Sequence, residues 1–334
     1  MGTSLRYLSA DDVRAAMPPV AERLALAERT MVALTGDAEL PPKIGLHPRP
    51  DGSFAHAMPA ALKPRLDGST TDHDLLGIKF VSGFPANQDR GLPAIHATVI
   101  LSDPATGVPL AILDGGPITA ERTAAVSGVA IARFAPALTG RATRVTIIGG
   151  GVQGMSHLEV VGHVLPGAEV TIVDRHPNRA GALATRAAAT PGIERVTVGA
   201  DTRAATTEAD VVITAVSFTT PDRWQTMSPE WLAPDALVVA VDYESLVAAS
   251  VAREAAAFVV DDRGQFLATR DAGRFTGYPD PGATLGEVVA AGTSRPAAGR
   301  VLVTHLGVGL ADVVFADAIV RRAADAGLGI ALPR

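Results

Sequence analysis

The chain has 334 residues, of which 47% are hydrophobic and 19% charged, with a net charge of -6. This length allows two domains and a large core. No region is strongly basic, which argues against nucleic acid or membrane surfaces as partners, and no charge-free apolar run could span a bilayer. The chain contains no cysteine, which excludes disulfides and thiolate chemistry, and its first residues contain no apolar signal core. We therefore expect a cytoplasmic protein.

The first 120 residues mix helices and strands. The segment SADDVRAAMPPVAERLALAERTMVAL begins with a Ser/Asp capping signal and continues with helical spacing of apolar residues. FAHAMPA and LLGIKFVSGF predict short strands. AIHATVILSDPATGVPLAILDGG predicts a hairpin, because two β-rich runs flank the turn residues DPATG.

The middle of the chain, residues 121–304, has the pattern of an α/β domain. ITAERTAAVSGVAIARFA predicts an amphipathic helix. The apolar runs VTII, EVTIVD, ADVVITAVSF, ALVVAVD and AFVVDD follow, interrupted by helix-like segments. Such short Val- and Ile-rich runs are typical of parallel strands that are buried on both faces.

A dinucleotide-binding motif follows the first of these strands. Gly149, Gly151 and Gly154 fit G-x-G-x-x-G where the strand gives way to a helix, and Val152 and Gln153 within the motif are candidate cofactor-binding residues as well. The first glycine permits the sharp turn, the second lets a pyrophosphate approach the backbone, and the third allows close packing. The helix N-terminus then presents N–H groups to the phosphates.

The cofactor predicted from this motif is NAD, with NADP as the alternative. Asp174 ends the second strand, where its carboxylate can accept hydrogen bonds from the adenosine ribose and repel a 2′-phosphate. Arg175 follows at once and Arg179 lies one turn later, and either could bind a 2′-phosphate if Asp174 turns away. The segment SFTTP (217–221), with Ala215 and Val216 before it, should lie near the nicotinamide ribose at the strand's carboxyl end.

The regions on both sides of this motif resemble the ornithine cyclodeaminase/μ-crystallin family. The resemblance runs from about Pro41 to the C-terminus. The matching pieces are Lys79, GLP at 91–93, TG at 106–107, DG at 114–115, RTAAVS at 122–127 and the terminal GVGLAD with Gly307, Gly309 and Asp312. This combination is more specific than the glycine motif alone.

The resemblance implies an α/β homodimer whose chain forms two domains. A Rossmann-type NAD(P)-binding domain would span residues 121–304, and a smaller α/β substrate-binding and dimerisation domain would span 1–120, completed by 305–334. Family activities include ornithine cyclodeamination, cyclic imine and ketimine reduction and alanine dehydrogenation, all of which pass through an imine beside a carboxylate. The expected substrate is therefore a small imino acid, amino acid or 2-oxo acid.

Three basic residues are the candidates for binding this substrate. By resemblance Arg122 holds the carboxylate, a task that suits its bidentate geometry, although an ordinary surface ion pair is the alternative. Lys79 lies in the apolar run GIKFV, where a lysine is costly unless it is paired or functional, and the family places a substrate-contacting lysine there. An edge-strand lysine that reaches solvent is the alternative. Lys43 falls where the family commonly has a carboxylate-binding arginine, and it could equally be a solvated loop residue.

The chain departs from the cyclodeaminases at several positions. His56 stands where they carry a glutamate, and it is a candidate proton donor or simply a hydrogen-bonded core histidine. Asp242 or Glu244 in VAVDYES could supply the carboxylate that handles the substrate amine. Ala94 replaces the usual threonine after GLP. These changes favour imine reduction or amino-acid dehydrogenation over cyclodeamination.

Two other functions remain open at this stage: a cyclodeaminase-type ammonia lyase, and a crystallin-like protein that binds NAD(P)H without turnover. The candidate catalytic residues are Lys79, His56 and Asp242. His96 alternates with apolar residues in a strand and could face the pocket. No histidine or carboxylate cluster has metal-ligand spacing, so we expect no metal.

Overall fold

The chain forms two compact units in a computed structural model that describes residues 4–63, 74–217 and 221–333. One unit comprises Met1–Arg122 and Gly307–Arg334, and the other comprises Thr123–Leu306. Within the described ranges, no helix combines the length and apolar character needed to cross a membrane.

The first unit is built on a mixed sheet. Its described strands are β1 (Ser4–Leu8), β2 (Ala38–Glu39), β3 (Ile44–Leu46), β4 (Phe54–Leu62), β5 (Leu75–Gly83), β6 (Ile95–Ser102), β7 (Pro109–Asp114) and β16 (Ile330–Pro333). Their order is β16-β1-β7-β6-β5-β4-β2, and β3 also pairs with β4. Only the β1–β7 pair is parallel among these described pairs. The predicted strands and hairpin form the centre of this sheet.

Helices cover one face of the sheet. They are α1 (Ala10–Ala15), α2 (Val20–Ala33) and α10 (Gly309–Asp325). Pro18 and Pro19 lie in the break that divides the predicted helical region into α1 and α2, because a proline lacks the backbone N–H that a continuing helix needs. The predicted cap is present: the Ser9 hydroxyl and the Asp12 carboxylate bond each other's backbone N–H groups in a capping box.

The opposite face of the same sheet is apolar and exposed. Residues in β5 alternate between the two faces, so that Lys79 is buried while Phe80 is 50% exposed. Other exposed apolar side chains of this sheet are Tyr7, Ile44, Leu46, Leu110, Ile330 and Leu332. The β16 strand after the glycine break was not predicted, and it extends this face beside β1.

The second unit is a parallel sheet flanked by helices. Its described strands are β8 (Arg144–Ile148), β9 (Ala168–Val173), β10 (Ile193–Val198), β11 (Val211–Thr214), β12 (Leu237–Ala240), β13 (Ala257–Val260), β14 (Ala283–Thr284) and β15 (Val301–Thr304). The order is β10-β9-β8-β11-β12-β15-β13-β14. The first five positions reproduce the 3-2-1-4-5 order of a Rossmann sheet, and the predicted fold class is therefore confirmed.

The helices between these strands have the connectivity expected for parallel neighbours. They are α4 (Val152–Val164), α5 (Pro177–Ala188), α6 (Thr202–Thr207), α7 (Ala249–Glu254), α8 (Arg263–Asp271) and α9 (Leu285–Ala290), and α3 (Gly115–Phe134) precedes β8. Strands β8, β11, β12 and β15 are almost wholly buried, as their continuous apolar sequences predict. Their carboxyl ends carry the loops discussed below.

Candidate active site

A buried carboxylate in the first unit holds two basic side chains. Lys79 in β5 and Asp312 in α10 are 1% and 0% exposed, and Nζ lies 2.6 Å from Oδ2. The other oxygen, Oδ1, accepts a hydrogen bond of 3.1 Å from Nε of Arg122 in α3. Two cations and one anion leave an excess positive charge in a place with little water. Such an arrangement can receive a carboxylate.

The local sequence GVGLAD explains how α10 approaches this cluster. A Cβ added to Gly309 would lie 2.6 Å from the Met58 carbonyl oxygen, so only glycine lets the helix start so close to β4. Gly307 has φ +80°, and an added Cβ would lie 2.5 Å from a terminal nitrogen of Arg122. Gly309 thus lets α10 approach β4, and Gly307 makes room for Arg122, which bonds Asp312. The sequence pattern contained Asp312 without indicating its role.

Burial and charge change the acidity of Lys79. Desolvation is the largest cause, followed by the nearby Arg122 guanidinium, and together they lower the pKa of Lys79 to about 7. The Asp312 carboxylate opposes this change by favouring the ammonium. At neutral pH the Lys79 amine can therefore either give or take a proton.

His56 and Lys43 belong to the same region of the first unit. His56 pairs with Val81 in β5, and Met58, two residues further along β4, pairs with Lys79, so both side chains share the helix-covered face. Desolvation is the largest cause that lowers the pKa of His56 to about 4, with Lys43 next. The ring stacks on Phe54 and is uncharged at neutral pH, which weakens the case for His56 as a proton donor.

The other strand histidine lies elsewhere. His96 pairs with Ser82 in β5, and both belong to the exposed face of the sheet rather than the Lys79 face. The suggestion that His96 faces the pocket is therefore not supported. Among the described residues, no group of three or more His, Cys, Asp or Glu side chains could hold a metal ion.

The glycine turn of the second unit has the geometry that the motif predicts. Gly149 has φ +114°, and an added Cβ would lie 2.3 Å from the Ala215 carbonyl oxygen. At Gly154 the Cβ would lie 2.1 Å from the Gly149 oxygen, so the helix packs against the turn itself. At Gly151, the N-cap of α4, nothing lies within 4 Å, and no side chain caps the helix. This open backbone with a helix N-terminus fits a pyrophosphate. Val152, the first residue of α4, is 69% exposed.

Asp174 directly follows β9 and supports the glycine turn. Its two oxygens accept backbone hydrogen bonds of 2.7 Å from Gly150 and His176. A carboxylate has further lone pairs, so a ribose hydroxyl can still be bound. Arg175 is exposed, and its Nε lies 3.1 Å from Nε2 of His176.

Asp242 holds the loop that follows β11. Thr214 Oγ1 donates to one carboxylate oxygen at 2.7 Å, and the Val216 N–H donates to the other at 3.0 Å. Burial raises the pKa of Asp242 to about 6. These bonds fix the start of the segment Ala215, Val216 and Ser217, and the catalytic role suggested for Asp242 stays a prediction. Residues 218–220 of the predicted SFTTP contact lie outside the described residues.

Glu244, the alternative carboxylate, is also engaged. It is fully buried, and Oε1 lies 2.5 Å from Nε of Arg274, whose guanidinium lies 4.4 Å above the Trp224 ring. Tyr243 between the two acids adopts φ +60°, a strained conformation for a tyrosine. The loop after β12 thus contains two buried acids, each with partners inside the second unit.

Comparisons with known proteins agree with this architecture. The family model described as Ornithine cyclodeaminase/mu-crystallin family matches residues 10–327. The nodulation efficiency protein NfeD of Rhizobium meliloti is 31% identical over 331 residues, which cover 97% of each chain.

Two solved structures share the whole fold. Δ(1)-Pyrroline-2-carboxylate reductase of Thermococcus litoralis, in complex with NADH and L-proline, is similar at a TM-score of 0.83 and 26% identity, covering 98% of this chain and 99% of its own. An archaeal alanine dehydrogenase dimer with bound NAD has a TM-score of 0.81 and 26% identity, with the same coverage of 98% and 99%.

Proposed function

Because the chain belongs to the ornithine cyclodeaminase/mu-crystallin family, we propose that it is an NAD(P)-dependent imine reductase or amino-acid dehydrogenase. Its substrate is a small imino acid in one direction and the matching amino acid in the other. The observation that carries this proposal is the buried group of Lys79, Asp312 and Arg122. In this group, a guanidinium that can bind a carboxylate and an amine that can exchange a proton contact the same acid, and an imine beside a carboxylate requires both functions.

Each basic residue has a separate task in this proposal. Arg122 uses its terminal N–H groups to bind the substrate carboxylate, while its Nε bond to Asp312 fixes the plane of the guanidinium. Lys43 adds positive charge, which is felt at both His56 and Lys79. Lys79 gives a proton to the imine nitrogen in the reductive direction and removes one from the amine in the oxidative direction. His56 is an uncharged neighbour that can accept or donate a hydrogen bond.

The second unit supplies the dinucleotide site. NAD bound at the glycine turn would supply or accept the hydride. Gly149, Gly151, Val152, Gln153 and Gly154 would line its phosphates. Asp174 would accept from the adenosine ribose, which favours NAD over NADP, while Arg175 is the residue that could tolerate a 2′-phosphate.

Asp242 positions the remaining cofactor loop in this proposal. Its two bonds to Thr214 and Val216 fix the segment Ala215–Ser217, which would contact the nicotinamide half of the dinucleotide. Because Asp242 is 2% exposed, the side-chain amine of ornithine has little access to its carboxylate. Together with His56 in place of a glutamate, this disfavours cyclodeamination.

We also infer that the chain forms a homodimer through the exposed apolar face of its first sheet. Phe80, Ile44, Leu46 and Ile330 are each at least half exposed on this face. An apolar patch of this kind on a folded unit marks an interaction surface. The dimeric alanine dehydrogenase relative supports a second copy as the occupant. A cytoplasmic location remains a prediction.

The experiment that tests the function follows nicotinamide absorbance. The purified chain would be mixed with NADH or NADPH and with Δ(1)-pyrroline-2-carboxylate, or with pyruvate or glyoxylate plus ammonia. We expect oxidation of NADH with at least one of these carboxylates. The same cyclic imine without its carboxylate should give little oxidation, because Arg122 would have nothing to bind. Conversion of ornithine to proline and ammonia without net change in NADH would establish a cyclodeaminase instead. NADH binding without any turnover would indicate a crystallin-like binding protein.

A further inference from the structure

Three polar side chains form a continuous hydrogen-bonded chain inside the second unit. Ser127 in α3 and His157 in α4 are 0% exposed, and His305, directly after β15, is 2% exposed. The Ser127 Oγ lies 2.8 Å from Nε2 of His157 and 2.8 Å from Nε2 of His305. The Nδ1 of His157 lies 2.6 Å from the Gln153 carbonyl oxygen, in the first turn of α4.

The donor and acceptor of each hydrogen bond in this series can be assigned by starting from the Gln153 carbonyl oxygen. A carbonyl oxygen only accepts, so Nδ1 of His157 carries a proton. Burial lowers the pKa of His157 to about 4, so the neutral ring has no second proton and its Nε2 accepts. The Ser127 hydroxyl therefore donates to His157. Its single proton is then used, and Nε2 of His305 must donate to Ser127.

A nucleophilic role for this serine does not fit its surroundings. A serine beside an imidazole can attack a substrate only where the substrate can reach the oxygen. The Ser127 side chain is completely buried, and both histidines bonded to it are buried as well. A polar group inside a core is costly unless every bond is made, and when satisfied it fixes one arrangement of the elements around it.

We propose that Ser127 is a positioning residue for the dinucleotide, holding the first turn of α4 and the carboxyl end of β15 in one fixed arrangement through His157 and His305. The first turn of α4 is where the glycine motif presents its N–H groups. The end of β15 lies beside β12 in the sheet, at the edge where such folds bind ligands. This inference rests on the proposed dinucleotide site and adds a residue to it.

Replacing the hydroxyl tests the inference. Ser127→Ala should raise the Kd for NADH about tenfold, measured by fluorescence titration without substrate, because two imidazoles lose their shared partner. The KM for the carboxylate substrate should change by less than about twofold, since Arg122 and Lys79 are untouched. Ser127→Cys keeps the size and a weak S–H donor, so its Kd should be intermediate.

Ser156→Ala is the matched control. Its buried hydroxyl also lies on α4, but it bonds only the Gln153 carbonyl of its own helix, at 3.0 Å. We expect its NADH affinity to match the wild type. A folded Ser127→Ala variant with the wild-type Kd would overturn the inference.

A spectroscopic measurement decides the matter even if Ser127→Ala does not fold. Nitrogen NMR of the wild-type protein with labelled histidine should show His157 protonated at Nδ1 and His305 at Nε2. The same tautomer on both rings would contradict the hydrogen-bond order and overturn the proposal. If the wild-type chain bound neither NADH nor NADPH, the proposed function itself would be wrong, and this inference with it.

Discussion

At the scale of single residues, Asp312 organises the candidate site. It is completely buried, and without it Lys79 and Arg122 would be two like charges in a region of low dielectric constant. One carboxylate both holds the guanidinium in place and keeps the amine partly protonated. Burial and the Arg122 charge lower the pKa of Lys79, Asp312 opposes them, and the resulting pKa of about 7 suits acid–base catalysis at neutral pH.

The first prediction concerns this lysine. The ammonium predominates below the pKa, so kcat/KM for imine reduction should fall as the pH rises above about 7, and amino-acid oxidation should rise through the same range. Lys79→Met keeps the apolar stem and removes the amine. It should lower kcat by about 10²–10⁴-fold and abolish this pH dependence while NADH still binds. An unaltered pH profile in the variant would assign the proton to another group.

The second prediction concerns Arg122. Arg122→Lys retains the charge but cannot make two parallel bonds to a carboxylate, and the shorter cation also leaves the space beside Gly307. We expect a large increase in KM for every carboxylate substrate, about tenfold or more, with an unchanged Kd for NADH. Steady-state kinetics and NADH titration measure the two quantities. A wild-type KM together with a wild-type melting temperature would give Arg122 a structural role.

At the scale of elements, the strand–turn–helix unit from β8 to α4 shows why three glycines recur at fixed spacing. The fold requires two of them, because a Cβ added to Gly149 or Gly154 would collide with a backbone oxygen that cannot move away easily. A Cβ added to Gly151 would have no neighbour within 4 Å, so the packing of the protein does not require a glycine at this position. We therefore propose that its missing side chain leaves room for a ligand.

This difference yields the third prediction. Gly151→Ala should leave the melting temperature unchanged and weaken NADH binding about tenfold or more, because the methyl group would stand where a phosphate approaches. Gly154→Ala should lower the melting temperature itself, since its Cβ collides with the Gly149 oxygen.

Gly181→Ala, on an exposed position of α5 with nothing near its Cβ, is the control. It should stabilise the fold by about 0.5–1 kcal/mol and leave NADH affinity unaffected. If Gly151→Ala, Gly154→Ala and Gly181→Ala all lost NADH affinity equally, the glycine turn would not be the cofactor site.

At the scale of the whole molecule, the unusual feature is a sheet with one covered face and one apolar open face. Helix α10 buries the inner side of β4, β5 and β6, and the outer side carries exposed Ile, Leu, Phe and Tyr residues. A monomer with this surface would be prone to association. We therefore expect the protein to be a dimer in solution.

The fourth prediction tests this surface. Phe80→Glu places a charge in the centre of the apolar face, where Phe80 is 50% exposed, and should convert the dimer to a monomer in light-scattering measurements. Val198→Glu is the matched control, because Val198 is 51% exposed on β10 of the other unit. It should leave the dimer intact. A dimer that persists in Phe80→Glu would place the interface elsewhere.

The sequence alone determined much of the fold, because its signals are local. Continuous apolar runs predict the buried strands, and a fixed spacing of glycines predicts the turn. Two alternating runs around DPATG predict the hairpin. It missed β1 and β16, whose short exposed sequences become strands only by pairing with each other and with β7.

The partners of the candidate site residues were decided by tertiary structure. Asp312 and Arg122 are 190 positions apart, and no pattern of nearby residues records that the fold brings them within 3.1 Å. Asp242 accepts hydrogen bonds from Thr214 and Val216, and Asp174 accepts one from the Gly150 N–H. These bonds likewise depend on where neighbouring strands end. Residue types and spacing indicate which chemistry a chain can perform. Burial and long-range hydrogen bonds then set each group's charge and pKa, and these exist only in the folded chain.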